Sequence, residues 1–318
     1  MPDDRWVDPW VDLAGRPEAS GARPAGIEVV LWDLLDPLPP DATGRHGADV
    51  VVPPYMQTDD RLTRLREVQG LRLVQTLTAG YDGLLPMIPP GVILCIATGV
   101  HDASTAELAV GLAIASLRGL GQAALDATTG TWGHGTRPSL ADRRVLLIGA
   151  GSVGSAIASR LAPFEVELTR VASRARDDAS GHLHGVDELP ALLPDHDVVV
   201  LALPLTDATR GLVGKDFLAA MPDGALLVNV ARGPVVDTDA LLAELTHGRL
   251  LAALDVTDPE PLPPDHPLWL APNLLISPHV GGNTTAFPPR ARALLRDQLA
   301  RLAEGRPLRN VVPIDSPG

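Results

Sequence analysis

Val145-Leu146-Leu147-Ile148-Gly149-Ala150-Gly151-Ser152-Val153-Gly154 is the stretch on which the fold turns. Four apolar residues run directly into a G-x-G-x-x-G pattern, and a segment with Ile157 and Leu161 at helical spacing follows at once. A short continuous apolar run bounded by a turn reads as a strand buried on both faces. Strand, glycine turn and helix in that order form the opening of a dinucleotide-binding β-α-β unit. Gly149 permits the tight turn, Gly151 removes a side chain where a pyrophosphate must approach the backbone, and Gly154 lets helix and strand pack closely. Ser152 and Val153 begin the helix, whose unpaired N–H groups are offered to phosphates.

The pattern repeats outward in both directions. Downstream, short apolar runs at 166–172, 198–203, 225–230, 250–256 and 274–277 alternate with intervals long enough for crossover helices, among them 239–247, capped near Asp237 and Thr238. Upstream, runs at 5–10, 27–32, 50–53, 73–76 and 92–96 are separated by turn material, and Leu62, Leu65 and Val68 share one side of a charged stretch at 59–68. This is α/β alternation, with two parallel-sheet domains expected. An apolar, proline-free segment at 103–117 reads as a long buried helix, the Gly- and Thr-rich stretch 128–135 as a junction, and 290–304 as a closing helix.

Composition narrows the function. The 318 residues carry 26 basic and 39 acidic side chains, a net charge of −13, which argues against a nucleic-acid surface. A single cysteine, Cys95, allows neither an internal disulfide nor a thiolate metal cluster, so a reducing compartment is expected. The N-terminal residues lack a signal-like apolar stretch and no run is long enough to span a bilayer, so a soluble cytoplasmic protein without a membrane partner is expected.

The nucleotide itself is read at the end of the strand 166–172. An Asp or Glu there would bond both ribose hydroxyls. Instead Ser173-Arg174-Ala175-Arg176 supplies a hydroxyl and two guanidiniums, groups suited to a 2′-phosphate, and NADP(H) is expected in preference to NAD(H). The plainer alternative is a solvated Arg-rich loop.

In an open parallel sheet the ligand crevice lies beyond the carboxyl ends of the strands. Three polar residues stand just past such ends: Arg232 after Val228-Asn229-Val230, Glu260 after Leu254-Asp255-Val256, and His279 after Leu275-Ile276-Ser277. Singly each has an ordinary structural reading. Together, beside a nucleotide motif, they supply what hydride transfer to a carbonyl needs: a cation for substrate charge, a proton donor and a carboxylate that tunes it. The pair His182 and His184 is read as a loop rather than a metal site, with no ligand-spaced carboxylate or cysteine pattern beside it, and no metal is expected.

These stretches resemble the D-2-hydroxyacid dehydrogenase family. The resemblance runs from Thr78-Ala79-Gly80-Tyr81-Asp82 through Thr105-Ala106-Glu107, Trp132, the glycine motif, Leu203-Pro204-Leu205-Thr206, Asn229-Val230-Ala231-Arg232-Gly233, Asp255 with Glu260, and Ser277-Pro278-His279-Val280-Gly281-Gly282, to Asn310-Val311-Val312. It implies two doubly wound α/β domains: a discontinuous flavodoxin-like substrate domain, 1–101 plus 284–318, and an inserted Rossmann nucleotide-binding domain, 102–283. It implies the catalytic trio Arg232, Glu260 and His279, with the Ala79 and Gly80 amides holding the substrate carboxylate. Asp255 would lie near the nicotinamide amide, Leu203, Pro204 and Thr209 would flank the adenosine half, and Thr105 and Val230 would complete the cofactor site. Tyr55, Met56, Trp132 and Trp269 are candidate pocket walls, with core or dimer packing as the competing reading. A homodimer through the nucleotide domains, with 103–117 as contact, is also implied.

Two departures matter. Ser173 to Arg176 looks like the NADP-preferring glyoxylate and hydroxypyruvate reductases, and Pro288-Pro289 stand where the family begins its returning helix, which is expected to start at or after Pro288. The chain also ends without the regulatory domain of some phosphoglycerate dehydrogenases. The expected reaction is reduction of a small 2-keto acid, with His279 giving the proton, Arg232 binding the carboxylate and carbonyl oxygen, and Glu260 orienting His279. A phosphite-type dehydrogenase on the same scaffold and a non-catalytic nucleotide sensor are the alternatives.

Overall fold

Strand residues 145–148 send alternate side chains to opposite faces of a sheet, and each face has its own apolar cover. This architecture comes from a computed structural model that describes residues 26–30, 32–41, 43–55 and 60–313. The chain divides into two compact units, 1–101 with 285–318, and 102–284.

In the first unit β1 (Val50–Val51), β2 (Leu73–Gln75) and β3 (Ile93–Cys95) pair in parallel, in that order. The run 5–10 lies outside the described residues. Residues 27–30 and Trp32 form no strand, because that stretch finds no ladder partner among the described residues. Within the stretch 59–68, Asp60–Glu67 is a 3-10 helix. Leu62, Leu65 and Val68 are buried at a spacing of three, the period of that tighter helix. They pack with Leu34, Val74 and Leu94.

The second unit opens with α1 (Asp102–Arg118), which Gly119, at a left-handed φ of 64°, separates from α2 (Leu120–Thr128). There follow β4 (Arg144–Ile148), α3 (Ser152–Leu161), β5 (Glu167–Ala172), β6 (Arg176–Asp178), β7 (Gly181–Gly185), α4 (Leu189–Leu192), β8 (Val198–Leu201), α5 (Lys215–Ala220), β9 (Leu226–Asn229), α6 (Thr238–Thr246), β10 (Leu251–Leu254) and β11 (Leu274–Ile276). The sheet order is β11-β10-β9-β8-β4-β5-β7-β6, parallel throughout except for the β6–β7 hairpin. Leu146, Ile148, Val199 and Leu201 face Phe217, Leu218, Leu241 and Leu245 of α5 and α6. Val145, Leu147, Val198 and Val200 face Ala109, Leu112, Ala113 and Ile157 of α1 and α3. Burial on both faces is why these strands read as unbroken apolar runs. From β4 the chain moves to β5 on one side and later to β8 on the other, so a topological switch point lies between β4 and β8.

The chain then returns to the first unit as α7 (Phe287–Ala303), where Phe287, Ala291 and Leu295 pack on Leu77, Ala97 and Val100. Pro288 and Pro289 sit in its first turn, where the missing N–H groups would have no helical acceptor. Two expectations need correction. Residues 176–185 form a hairpin, so His182 and His184 lie on a strand and not in a loop. Polar, exposed β6 carries no apolar period to announce it. The stretch 128–135 is no unit boundary. It follows α2 inside the second unit.

Candidate active site

At the switch point the glycine turn stands against the exit of β8. A Cβ on Gly149, whose φ is 118°, would overlap the Ala202 carbonyl, and one on Gly154 would overlap the Gly149 carbonyl. Close packing of the protein with itself therefore fixes both. Gly151 differs, because a Cβ built there meets nothing within 4 Å. Its φ of −77° suits any residue. The protein alone gives no reason for glycine at this position, whereas a pyrophosphate lying on the backbone does. Gly151 is also the N-cap of α3, and no side chain caps that end, which leaves the first-turn N–H groups of Ser152 and Val153 for an anion. The residues present thus fit a dinucleotide.

Around this turn, Leu203 and Val230 are buried and Pro204 is exposed. The Thr209 hydroxyl donates to the Pro204 carbonyl at 2.7 Å and accepts from the Thr206 amide at 2.8 Å, shaping the loop after β8. Ser173, Arg174 and Arg176 are all exposed beyond β5, with Arg176 opening β6.

Three further exits lie side by side, because Asn229, Leu254 and Ile276 are in register across β9, β10 and β11. Each delivers one of the expected residues. Past β9, the buried Asn229 side chain donates to the Arg232 carbonyl and accepts from the Ala231 amide, both at 3.0 Å, and so holds the turn that projects Arg232. The Arg232 guanidinium donates to the Ala231 carbonyl at 2.7 Å. A Cβ on Gly233 would overlap the Thr257 carbonyl, so the Arg232 turn lies directly on the loop that leads to Glu260. Thr238 and Thr257 fasten that loop by donating to the carbonyls of Asp258 and Pro259 at 2.8 and 2.9 Å.

The loop's end meets the third exit. Nδ1 of His279 is 2.5 Å from Oε1 of Glu260. An ionised carboxylate only accepts, so Nδ1 carries the hydrogen of this bond, and Nε2, the ring's other nitrogen, takes no part in it. His279 has a left-handed φ of 50°, which costs a non-glycine residue about 1–3 kcal/mol. Asp255 offsets that strain. Its backbone carbonyl accepts from the His279 amide at 2.8 Å, Oδ1 accepts from the Ser277 hydroxyl and the Val280 amide, and Oδ2 accepts from the Gly281 amide. Thr105 of α1 packs where a Cβ on Gly281 would stand, at 3.4 Å. Asp255 is only 3% exposed, yet as a carboxylate it retains acceptor capacity on Oδ2. The clamps by Asn229 and Ser277 were not assigned from the sequence. Their signal was a polar residue at the buried end of an apolar run.

Residues 110–281 match the family described as D-isomer specific 2-hydroxyacid dehydrogenase, NAD binding domain. The chain belongs to this family. As a D-2-hydroxyacid dehydrogenase it is an oxidoreductase that transfers hydride between a nicotinamide nucleotide and 2-keto or 2-hydroxy acids. It is 32% identical over 308 residues to the glyoxylate reductase/hydroxypyruvate reductase of Homo sapiens, covering 90% of this chain and 91% of that protein. It is 33% identical to the glyoxylate reductase of Thermofilum pendens over 74% of this chain and 73% of the other. Among solved structures, the D-isomer specific 2-hydroxyacid dehydrogenase of Xanthobacter autotrophicus Py2, in complex with NADPH and MES, superposes with a TM-score of 0.72 at 30% identity over 83% of each chain.

In this dehydrogenase the first unit carries the remaining expected residues. Ala79 and Gly80 lie in the bend after β2, held by the Thr78 hydroxyl on the Gly80 carbonyl at 2.8 Å and by the Ala97 amide on the Thr78 carbonyl. Tyr55 stacks with His101 and lies tilted against Phe287, at ring centroids 5.7 and 4.5 Å. Of the other aromatic candidates in the second unit, Trp269 donates to the Pro263 carbonyl and Trp132 is 91% exposed. Met56 lies outside the described residues.

Proposed function

We propose that this dehydrogenase reduces small anionic 2-keto acids, glyoxylate and hydroxypyruvate foremost, with NADPH preferred over NADH. The observation that carries the reading is the His279–Glu260 pair, at 2.5 Å, on the exit next to the Arg232 turn. Glyoxylate and hydroxypyruvate are the substrates named for the human relative, and glyoxylate for that of Thermofilum.

The nicotinamide, when bound, supplies hydride to the substrate carbonyl carbon. The chain's residues manage charge and the proton. Arg232 binds the carboxylate and carbonyl oxygen and stabilises the negative charge that grows there. His279, held through Nδ1 by Glu260, gives the Nε2 proton to that oxygen. The amides of Ala79 and Gly80, which no described residue accepts from, receive the substrate carboxylate. Asp255 fixes the His279 loop and, with the coenzyme bound, would be the residue beside the nicotinamide carboxamide.

NADPH preference rests on Ser173, Arg174 and Arg176, exposed at the end of β5 with no carboxylate among them. The Xanthobacter structure was solved with NADPH. Within this reading, 1–101 with 284–318 binds substrate and 102–283 binds coenzyme, Leu203, Pro204, Thr209, Val230 and Thr105 lining the nucleotide and Tyr55 the substrate side. The protein works as a cytoplasmic homodimer. Among the described residues no single helix is long and apolar enough to cross a membrane.

The test is a panel of 2-keto acids assayed with both coenzymes. NADPH with glyoxylate or hydroxypyruvate should give the highest kcat/KM. In His279→Ala, kcat should fall roughly 10²- to 10⁴-fold, the contribution of a positioned proton donor. Near-wild-type turnover of that variant would remove His279 from the mechanism.

A further inference from the structure

On β7, His182 and His184 flank the buried Leu183, so both imidazoles leave one face of the strand. Their rings are perpendicular, with centroids 4.7 Å apart. The chain then turns through the short 3-10 helix Val186–Glu188 and brings a carboxylate back to them. Oε2 of Glu188 stands 2.7 Å from Nδ1 of His184, while Oε1 accepts the Gly185 amide at 2.8 Å. Across the hairpin, in register with His182, Asp177 places Oδ1 2.8 Å from Nδ1 of that histidine. With one donor atom taken from each of His182, His184 and Glu188, the three lie within 4.8 Å of one another. None of these residues has a part in hydride transfer.

We propose that His182, His184 and Glu188 bind a divalent transition-metal ion of the zinc class. Two imidazoles and one carboxylate are the donor set of such ions, whereas magnesium and calcium take oxygen donors throughout. Donors around tetrahedral zinc stand about 3.3 Å apart, given metal–ligand bonds of roughly 2.0–2.1 Å. Reaching that spacing from 4.8 Å takes a shift of about 1.5 Å at side-chain tips. The side chains of His182, His184 and Glu188 are 53%, 30% and 38% exposed, so rotation moves them without disturbing the core. The ion takes the place of the hydrogen now shared by His184 and Glu188, and water completes the coordination. Asp177 remains beside His182 as an orienting partner. The site adjoins the segment 173–176, because Gly185 pairs with Ala172 and a Cβ on it would lie 3.2 Å from the Ala175 amide.

The test is zinc titration, by isothermal calorimetry, of the full chain freed of tags and dialysed against chelator. Cys95 is buried and does not compete. The wild type should take up one equivalent. His182→Ala and His184→Ala should each weaken binding by at least about tenfold. His279→Ala, which removes the His279–Glu260 pair, should leave it unchanged. Circular dichroism checks that each variant is folded. Absence of stoichiometric uptake, an affinity unchanged in the double variant His182→Ala/His184→Ala, or loss of binding in His279→Ala would each overturn the assignment.

Discussion

Gly151 and Gly154 stand three residues apart in one motif and are glycine for different physical reasons. At Gly154 the neighbour is the chain's own Gly149 carbonyl, which a methyl group would overlap, so Gly154→Ala acts on the fold. The expected cost is about 1–3 kcal/mol, seen as a lower midpoint in chemical denaturation. At Gly151 an added methyl meets open space on a backbone that alanine adopts freely. Gly151→Ala should therefore leave the denaturation midpoint in place and weaken coenzyme binding at least about tenfold, or about 1.4 kcal/mol. Equal effects of both substitutions on stability would show that Gly151 serves packing rather than a ligand. The sequence motif assigns pyrophosphate approach to Gly151 and close packing to Gly154, and the surroundings of each supply the physical difference between them. The same holds for Asp255. The family resemblance marked it for the site, but the bonds to Ser277, Val280 and Gly281 that keep His279 in its left-handed conformation are spread over 26 residues of sequence and became visible only on folding.

At the level of elements, the β6–β7 hairpin carries Arg176 and is braced from β5 by Arg170. Nη1 and Nη2 donate to the two oxygens of Asp178, each at 2.8 Å, and Nη2 reaches the Gly181 carbonyl at 3.2 Å. Arg170, with the Ser180 amide assisting, lowers the Asp178 carboxyl from 3.8 to about 2. A depressed carboxyl favours the paired state above its ordinary value, and that preference is lost as the pH falls from 3.8 through about 2. Asp178→Asn should reproduce at neutral pH what acid does, as faster hydrogen exchange of the hairpin amides. Arg170→Ala should raise KM for NADPH several-fold and leave KM for NADH nearly constant, because only the former coenzyme carries the phosphate the hairpin is proposed to meet. Parallel changes in both would mean that the brace serves the whole domain. This hairpin was also the element least legible in the sequence. β4 is legible to the residue because burial on both faces writes an apolar run, whereas Arg176-Asp177-Asp178 is held by charge pairing that leaves no periodic trace. The stretch 59–68 was legible as helical from Leu62, Leu65 and Val68, whereas the 3-10 form was seen only in the structure.

At the scale of the whole molecule, α2 poses a question of stability that bears on assembly. The family resemblance implies 103–117 as the contact between copies, but α1 spends Ala106, Ala109, Val110, Leu112, Ala113 and Leu117 on its own unit. α2 is different. It has nine residues and buries none of them. A helix shorter than about 12–15 residues is marginal without tertiary packing. Leu120 and Leu125 on α2 are 52% and 64% exposed, and Trp132 lies just beyond. Exposed apolar side chains on an unsupported helix are best explained by a surface that covers them, and in the proposed homodimer that surface is a second copy. Sedimentation velocity should show a dimer for the wild type. Leu125→Glu should move the equilibrium toward monomer in a concentration-dependent way, with no loss of secondary structure in the monomeric species beyond a helix of this length. A wild-type monomer, or a dimer indifferent to charge at Leu125, would assign α2 to some other contact and leave the two-fold assembly without support at this face.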